Sequence, residues 1–127
     1  MKDHFQAYAA YNLWANDQLF DACESLGPDA YKKTRPSFFQ SIHGSLNHIL
    51  LTDRSWIARL KGAERERIPL DTELYEDLAG LRAARKVEDE GFVAFVDGLD
   101  ESDLRVVLNF KLMSGIEFHT PRGELLT

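Results

Sequence analysis

Apolar side chains recur every three or four residues in three long stretches of this chain, which is the period of an amphipathic helix. In the first stretch the repeat consists of Phe5, Tyr8, Asn12, Ala15, Leu19, Ala22 and Leu26. Gly27 and Pro28 follow it and predict the end of the helix. Because Asn12 is a polar member of the repeat, we expect it to find a hydrogen-bond partner in the core.

The second stretch, residues 41–62, carries the most unusual polar pattern, and Ser37 or Ser41 is the candidate N-cap of its helix. Its apolar positions are Ile42, Leu46, Ile49, Leu50, Trp56, Ile57 and Leu60. Asp53 falls inside this apolar face, where a carboxylate is costly unless it has a partner. His48 falls at the edge of the face, near the seam between helices where metal sites in bundles are built. A structural role is the alternative for both residues, as a hydrogen-bonded edge histidine and an aspartate bonded to a neighbouring helix.

The third stretch has apolar spacing with charged residues in its middle, and Thr72 is its predicted N-cap. Its repeat consists of Leu74, Leu78, Leu81, Ala84, Glu88, Phe92, Phe95, Val96 and Leu99. Three interpretations of the polar middle stay open. The middle of the helix is partly exposed, or Arg85 pairs with Asp53 in a structural contact between helices, or polar residues of all three helices form one pocket. The members of that pocket would be Asn12, His48, Asp53, Arg85 and Glu88. His4 and His43 receive no role.

After residue 103 the period changes from helical to alternating, which predicts a β-hairpin. The alternating apolar positions are Leu104, Val106, Leu108, Phe110 and Leu112, then Ile116, Phe118 and Thr120 after a turn at Ser114 and Gly115. His119 is predicted to be exposed. Thr120 and Pro121 then resemble the N-cap and first residue of another helix, which would fill the groove left by three long helices.

These elements predict an all-α protein: a single domain over residues 1–127, built as an up-down four-helix bundle with a small hairpin before the last helix. We expect that fourth helix to be incomplete, because the chain stops after about two turns of it. Leu13, Trp14 and Phe20 form a second apolar face on the first helix, which predicts a further packing partner such as a second subunit.

Composition narrows the possible functions. The formal net charge is −6 and the pI is about 5.1, which argues against a nucleic-acid-binding face because such a face is basic. Cys23 is the one cysteine, so no intrachain disulfide can form, and we expect it to be a buried apolar side chain. The N-terminus has no apolar signal core, and no segment is long enough to cross a membrane. We therefore expect a cytoplasmic protein.

Three motifs, in this order along the chain, resemble the DinB/YfiT-like family. The first is Tyr11-Asn12-Leu13-Trp14-Ala15-Asn16 followed by Leu19, the second runs from Ser45 to Trp56 with His48 and Asp53, and the third is Thr120-Pro121-Arg122-Gly123-Glu124-Leu125-Leu126. The resemblance implies a four-helix bundle, commonly a homodimer, with a divalent metal such as zinc or nickel held by three histidines. His48 matches one ligand. The other two lie in a His-x-x-x-His motif on the fourth helix, which this sequence does not contain.

The resemblance further implies that the metal activates a small-molecule thiol or water. We expect a metal-dependent thiol S-transferase or hydrolase, with Asn12, Asp53, Arg85 and Glu88 as possible support around the ligand. Because one histidine cannot hold a metal tightly, we expect no complete metal site in this chain alone. A non-catalytic helical bundle or dimerisation module is the alternative, in which the polar residues form only a structural network.

Overall fold

The computed structural model describes residues 2–36, 39–63, 68–111 and 115–126. Three long helices dominate it, and α1 and α3 each pack against α4. The elements are α1 Lys2–Leu26, α2 Pro28–Lys32, α3 Ile42–Leu60, α4 Leu78–Asp97, α5 Glu101–Arg105, β1 Val107–Lys111, β2 Glu117–Pro121 and α6 Arg122–Leu126. The mostly helical fold with a hairpin before the last helix is as predicted, whereas the up-down four-helix bundle with an incomplete fourth helix stays a prediction. No described helix is long and apolar enough to cross a membrane.

Two apolar cores fill the space between the helices. One consists of Phe5, Ala9, Ile57, Leu60, Phe92, Val96, Leu99 and Leu104. The other consists of Phe20, Cys23, Tyr31, Leu46, Leu50 and Leu81. The burial of Cys23 agrees with the prediction. Each long helix passes from one core to the other, and the residues between the cores are polar: Asn12 and Asn16 on α1, Asp53 on α3, and Arg85 and Asp89 on α4.

The buried face of α1 is rotated by about one residue from the predicted face. Tyr8, Leu19 and Leu26 belong to the predicted apolar repeat, yet they are 55%, 41% and 50% exposed. Ala9 and Phe20 are buried instead. The small side chain of Ala9 allows the backbones of α1 and α4 to approach each other, which a tyrosine at the same place would prevent.

Side chains at the N-termini decide where the two later long helices begin. Ser41 Oγ accepts a hydrogen bond of 2.9 Å from the Gly44 backbone N–H, as predicted for a cap of α3. The other candidate, Ser37, lies outside the described residues. For α4 the predicted cap, Thr72, is wrong, because Asp77 Oδ1 accepts from the Gly80 N–H at 2.6 Å and the helix begins at Leu78.

The segment before α4 is not helical because it is bonded to α3. The backbone N–H of Tyr75 donates to Asn47 Oδ1 at 3.0 Å, and the Tyr75 carbonyl accepts from the imidazole of His43 at 2.8 Å. In a helix starting at residue 73 the Tyr75 N–H would instead donate to a Thr72 cap, and the Tyr75 carbonyl would accept from the N–H of residue 79. Leu74 is therefore part of a loop, although its side chain packs against the core as the apolar repeat predicted.

The hairpin exists, but it is shorter than the predicted one. Its strands are antiparallel with Phe110 opposite Phe118, and His119 is exposed as predicted. Leu104 lies in helix α5 rather than in a strand, because Asp100 and Asp103 form a reciprocal capping box that starts this helix. Pro121 ends β2, so α6 begins one residue later than predicted, at Arg122. Leu112 and Ser114 lie outside the described residues.

Candidate functional site

A buried carboxylate on α4 is the centre of the polar layer between the two apolar cores. The Asp89 side chain is 1% exposed. Its Oδ1 accepts from Asn12 Nδ2 at 3.2 Å, and its Oδ2 accepts from Asn16 Nδ2 at 2.9 Å. Arg85, one helical turn earlier, donates to Oδ1 from Nε at 3.0 Å and from Nη2 at 2.5 Å. Four donor contacts therefore satisfy a charge that would otherwise be very costly to bury.

The same guanidinium connects this cluster to α3. Arg85 Nη2 lies 2.8 Å from Asp53 Oδ2. Burial raises the pKa of Asp53, and the positive charge of Arg85 offsets this only in part. The guanidinium of Arg85 remains protonated, because its bonds to the two carboxylates outweigh the effect of its burial and raise its pKa. One arginine thus joins the carboxylates of two helices.

The structure brings together some of the residues that the sequence analysis grouped. Asn12, Asp53 and Arg85 meet around Asp89, whereas Glu88 lies outside this cluster. Glu88 Oε2 instead lies 3.6 Å from Nε of Arg54 on α3. The contacts of His48 involve other residues, namely Leu70, Thr52 and Phe39. The roles of Asn12, Asp53, Arg85 and Glu88 beside a metal stay a prediction.

Two residues that complete the cluster, Asn16 and Asp89, are not among the predicted site residues. Asn16 and Asp89 each follow a recognised residue, Asn12 and Arg85, by four positions. Residues four apart lie on the same face of a helix, and this spacing is the signal that could have identified them. The sequence pattern predicted Glu88 instead of the adjacent Asp89. The rotation of α4 decides which of these two acidic residues faces the core, and spacing alone gives that rotation only to within about one residue.

His48 has a defined tautomer. Its Nδ1 lies 2.9 Å from the backbone carbonyl oxygen of Leu70. A carbonyl can only accept, so Nδ1 carries the proton, and in the neutral ring Nε2 carries the lone pair. Thr52 Oγ1 is 3.4 Å from Nε2, a long contact. The ring stacks on Phe39 at 4.0 Å between centroids. A bond from one ring nitrogen to a carbonyl, with the other nitrogen as electron donor, is the usual state of a metal-ligating histidine.

A second histidine, to which the sequence analysis gave no role, is the most extensively bonded one in the described structure. His43 is 2% exposed. Its Nε2 lies 2.8 Å from the Tyr75 carbonyl and 3.0 Å from Glu73 Oε1, two acceptors that are closer than the donor Asn47 Nδ2 at 3.2 Å, so Nε2 carries the proton. In the neutral ring, Nδ1 then accepts a hydrogen bond from the Tyr31 hydroxyl at 2.5 Å. Burial raises the pKa of that hydroxyl, which keeps it protonated as a donor.

Asn47 completes the attachment of the loop to α3. Its Oδ1 accepts from the Tyr75 N–H, and its Nδ2 donates to the His43 carbonyl at 3.0 Å. His43, Asn47 and Leu50 lie on one face of α3, because their spacings are those of helical neighbours. Their environment is an apolar core closed by α2 and the loop, so we assign His43 a structural role rather than a chemical one.

Comparison with known proteins decides the family. The model of the DinB family matches residues 1–127. The chain belongs to the DinB family. Among curated proteins it is similar to Protein DinB of Bacillus subtilis (strain 168), with 38% identity over 52 residues. The aligned segment covers 41% of this chain but only 30% of the length of that DinB protein. The family resemblance noted in the three sequence motifs is thereby confirmed.

The DinB-like motifs implied a divalent metal, and the described residues fit that implication in part. His48 fits as one ligand because Nε2 of the neutral ring has a lone pair whose contact with Thr52 Oγ1, at 3.4 Å, is long. Within residues 2–36, 39–63, 68–111 and 115–126, no three histidine, cysteine, aspartate or glutamate side chains lie close enough together to hold a metal. The carboxylates of Asp53 and Asp89 are already bonded to Arg85. A complete metal site would therefore need ligands from outside the described residues.

Proposed function

We propose that this DinB-family protein is a metal-dependent enzyme, a thiol-dependent S-transferase or a hydrolase, in which His48 is a metal ligand. The observation that carries the proposal is the bond from His48 Nδ1–H to the Leu70 carbonyl, which leaves Nε2 as the electron donor. A bound zinc or nickel ion would supply Lewis acidity, which lowers the pKa of a coordinated thiol or water.

The polar layer would act by positioning the helix that carries His48. Asp53 and His48 both lie on α3, and the bond from Asp53 to Arg85 fixes the rotation of α3 relative to α4. The next residue of α3, Arg54, contacts Glu88 of α4 and donates to the Tyr75 hydroxyl at 2.9 Å. Tyr75 belongs to the same inter-helix segment as Leu70, the residue that orients the imidazole. In this proposal these residues hold His48 in place without contacting the substrate.

The rest of the ligand set would come from a further segment or from a second copy of the chain. A homodimer, a small-molecule thiol as partner and a cytoplasmic location are expectations from the sequence and the family, and we keep them as parts of the proposal. The exposed aromatic residues Tyr11 and Trp14 on α1 support a subunit contact. The net charge of −6 supports the absence of a nucleic-acid partner.

Metal binding by matched histidine variants tests this proposal. Nickel and zinc binding would be measured by calorimetry, and the metal content of the purified protein by elemental analysis. We expect His48→Ala to abolish binding, and the exposed His4→Ala to leave it unchanged. If His48→Ala binds metal as well as His4→Ala and the wild-type protein do, His48 is not a metal ligand. If the wild-type protein binds neither metal even when the remaining ligands are supplied by a further segment or a second copy, the second candidate below is favoured.

The second candidate is a non-catalytic helical bundle or dimerisation module. The observation that favours it is that Asn12, Asp53 and Arg85 satisfy one another through Asp89. Such a network needs no metal to explain it. In this case added zinc or nickel would leave the melting temperature unchanged, whereas a metal bound to the folded state raises it.

A further inference from the structure

The imidazole of His48 is held at one edge and on one face by residues from outside α3. The edge contact is the hydrogen bond of 2.9 Å from Nδ1–H to the carbonyl of Leu70, which follows α3 in the chain. The face contact is Phe39, which precedes α3. Its ring lies 4.0 Å from the imidazole between centroids, with 19° between the two planes. The half-buried His48 is therefore enclosed by the chain on both sides of its helix.

The hydrogen bond by itself does not fix the plane of the imidazole. The torsion that joins Cβ to a histidine ring has a broad distribution, so the ring can swing about the line from Nδ1 to its acceptor. A flat side chain against the face opposes this movement, because a tilted imidazole would clash with that side chain on one side and leave a gap on the other. Phe39 therefore removes the freedom that the bond to Leu70 leaves.

A strained turn fixes the backbone at Phe39. The next residue, Gln40, has a φ of 67° and is the one non-glycine residue with a positive φ in the described part of the chain. The Phe39 carbonyl accepts from the Ser41 N–H at 2.8 Å and lies so close to Gly44 that an added Cβ would be 2.2 Å from its oxygen. A non-glycine residue keeps such a conformation only where its surroundings impose it, and these positions cluster at functional sites. Here the turn places an aromatic ring on His48.

We infer that Phe39 is a positioning residue for His48: it fixes the plane of the imidazole and, together with Leu70, keeps the ring in the tautomer that carries the proton on Nδ1. The lone pair of Nε2 lies in the plane of the ring, so the direction in which His48 offers it is fixed as well. The use of that direction for a metal rests on the proposed function, because contacts around a ligating histidine orient it for the ion. The orientation of the ring does not depend on a metal.

Nuclear magnetic resonance of the imidazole nitrogens tests the inference on the metal-free full chain. Nitrogen chemical shifts distinguish the two neutral tautomers of a histidine, and His48→Gln identifies the signals of His48. At about pH 8, where an ordinary imidazole is neutral, we expect a single tautomer with the proton on Nδ1. Phe39→Leu removes the flat ring but keeps an apolar side chain, so we expect a mixture of tautomers, because the freed imidazole leaves Leu70 part of the time. Phe39→Tyr should retain the single tautomer.

A second stacked phenylalanine separates positioning from a general loss of packing. Phe118 stacks on Phe110 in the hairpin, so Phe118→Leu should lower the melting temperature and leave the tautomer of His48 unchanged. A mixture of tautomers in the wild-type protein, a single tautomer in Phe39→Leu, or equal changes in both leucine variants would overturn the inference. The first outcome is read on the wild-type protein and does not require Phe39→Leu to fold. If the tautomer responds as expected but no nickel binds even with further ligands supplied, the positioning role stands and the proposed metal site fails.

Discussion

The guanidinium of Arg85 and the carboxylate of Asp89 form a buried ion pair one helical turn apart, with Nη2 2.5 Å from Oδ1 and exposed fractions of 4% and 1%. A buried ion pair is weak evidence for net stability, because the desolvation of two charges offsets their attraction. Its consequence here is geometric. Asn12 and Asn16 from α1 and Asp53 from α3 all bond to this pair, so the three helices have one relative rotation in which these polar groups are satisfied.

The substitution Asp89→Asn should destabilise the protein strongly. It leaves Arg85 with Asp53 as its one carboxylate partner and turns an amide N–H₂ group toward other donors. Breaking a buried pair by removing one partner typically costs about 3–5 kcal/mol. Urea denaturation at pH 7 would measure this loss. Asp97→Asn is the control, because Asp97 is exposed and accepts one hydrogen bond, from Gln6. Equal midpoints for the two variants would show that the buried carboxylate is dispensable.

Removing one hydroxyl from the network of His43 should cost stability without changing the fold. In Tyr31→Phe, the acceptor Nδ1 of the buried His43 loses its donor. An unsatisfied buried group costs about 1–3 kcal/mol in the free energy of unfolding. Tyr8→Phe, at an exposed tyrosine of α1, should change it by less than about 0.5 kcal/mol. Thermal or urea unfolding followed by circular dichroism would compare the two variants. An unchanged free energy of unfolding in Tyr31→Phe would contradict the assigned hydrogen bond from the Tyr31 hydroxyl to His43 Nδ1.

Two glycine-to-alanine substitutions in helices should have opposite signs. At Gly44 an added Cβ would lie 2.2 Å from the carbonyl oxygen of Phe39, so the backbone before α3 would have to move. Such overpacking costs about 1–3 kcal/mol. At Gly91 a Cβ would meet no atom within 4 Å, and alanine should stabilise α4 by about 0.5–1 kcal/mol. Melting temperatures measure both effects. A stabilising Gly44→Ala would mean that Phe39 does not cover the start of α3.

The pH dependence of the free energy of unfolding should reveal the raised pKa of the Asp53 carboxyl group. Burial raises its pKa above the ordinary value of 3.8. The folded state then holds this proton more tightly than the unfolded chain does, so the free energy of unfolding falls as pH rises from 3.8 through the raised pKa. We expect the stability of the wild-type protein relative to Asp53→Asn to decrease over that window. Urea denaturation at several pH values from 3.5 to about 7 would measure it.

A carboxylate with the opposite shift is the control for that experiment. Hydrogen bonds from Ser102 and from the Asp103 backbone lower the pKa of Asp100 below 3.8. The contribution of the Asp100 carboxylate to the free energy of unfolding is complete about one pH unit above 3.8 and is lost as pH falls through 3.8 to the lowered pKa. Asparagine is also a good N-cap, so Asp100→Asn should give a stability difference that is level above about pH 5. If the difference for Asp53→Asn is equally level, Asp53 is not desolvated in the folded protein.

The parts of the fold that could be predicted from the sequence are those that depend on residues close together in one helix. The end of α1 before Gly27 and the Ser41 cap of α3 follow from local geometry, because glycine, proline and capping side chains act on neighbouring backbone groups. The start of α4 was mispredicted because it depends on distant contacts. His43 and Asn47 bond to the backbone at Tyr75 across 28 positions or more, and nothing in the local sequence around Thr72 reports them.

The sequence by itself determined the helical class, the hairpin before the last helix, the DinB-like motifs and the polar interruptions in all three long helices, since each depends on residue type and spacing. Only the tertiary structure decided which polar residues meet. A rotation of one residue, about 100°, exchanges Tyr8 for Ala9 and Glu88 for Asp89 at the buried face. That rotation is set by the packing of one helix against another and by the need to satisfy Arg85, so no single helix encodes it.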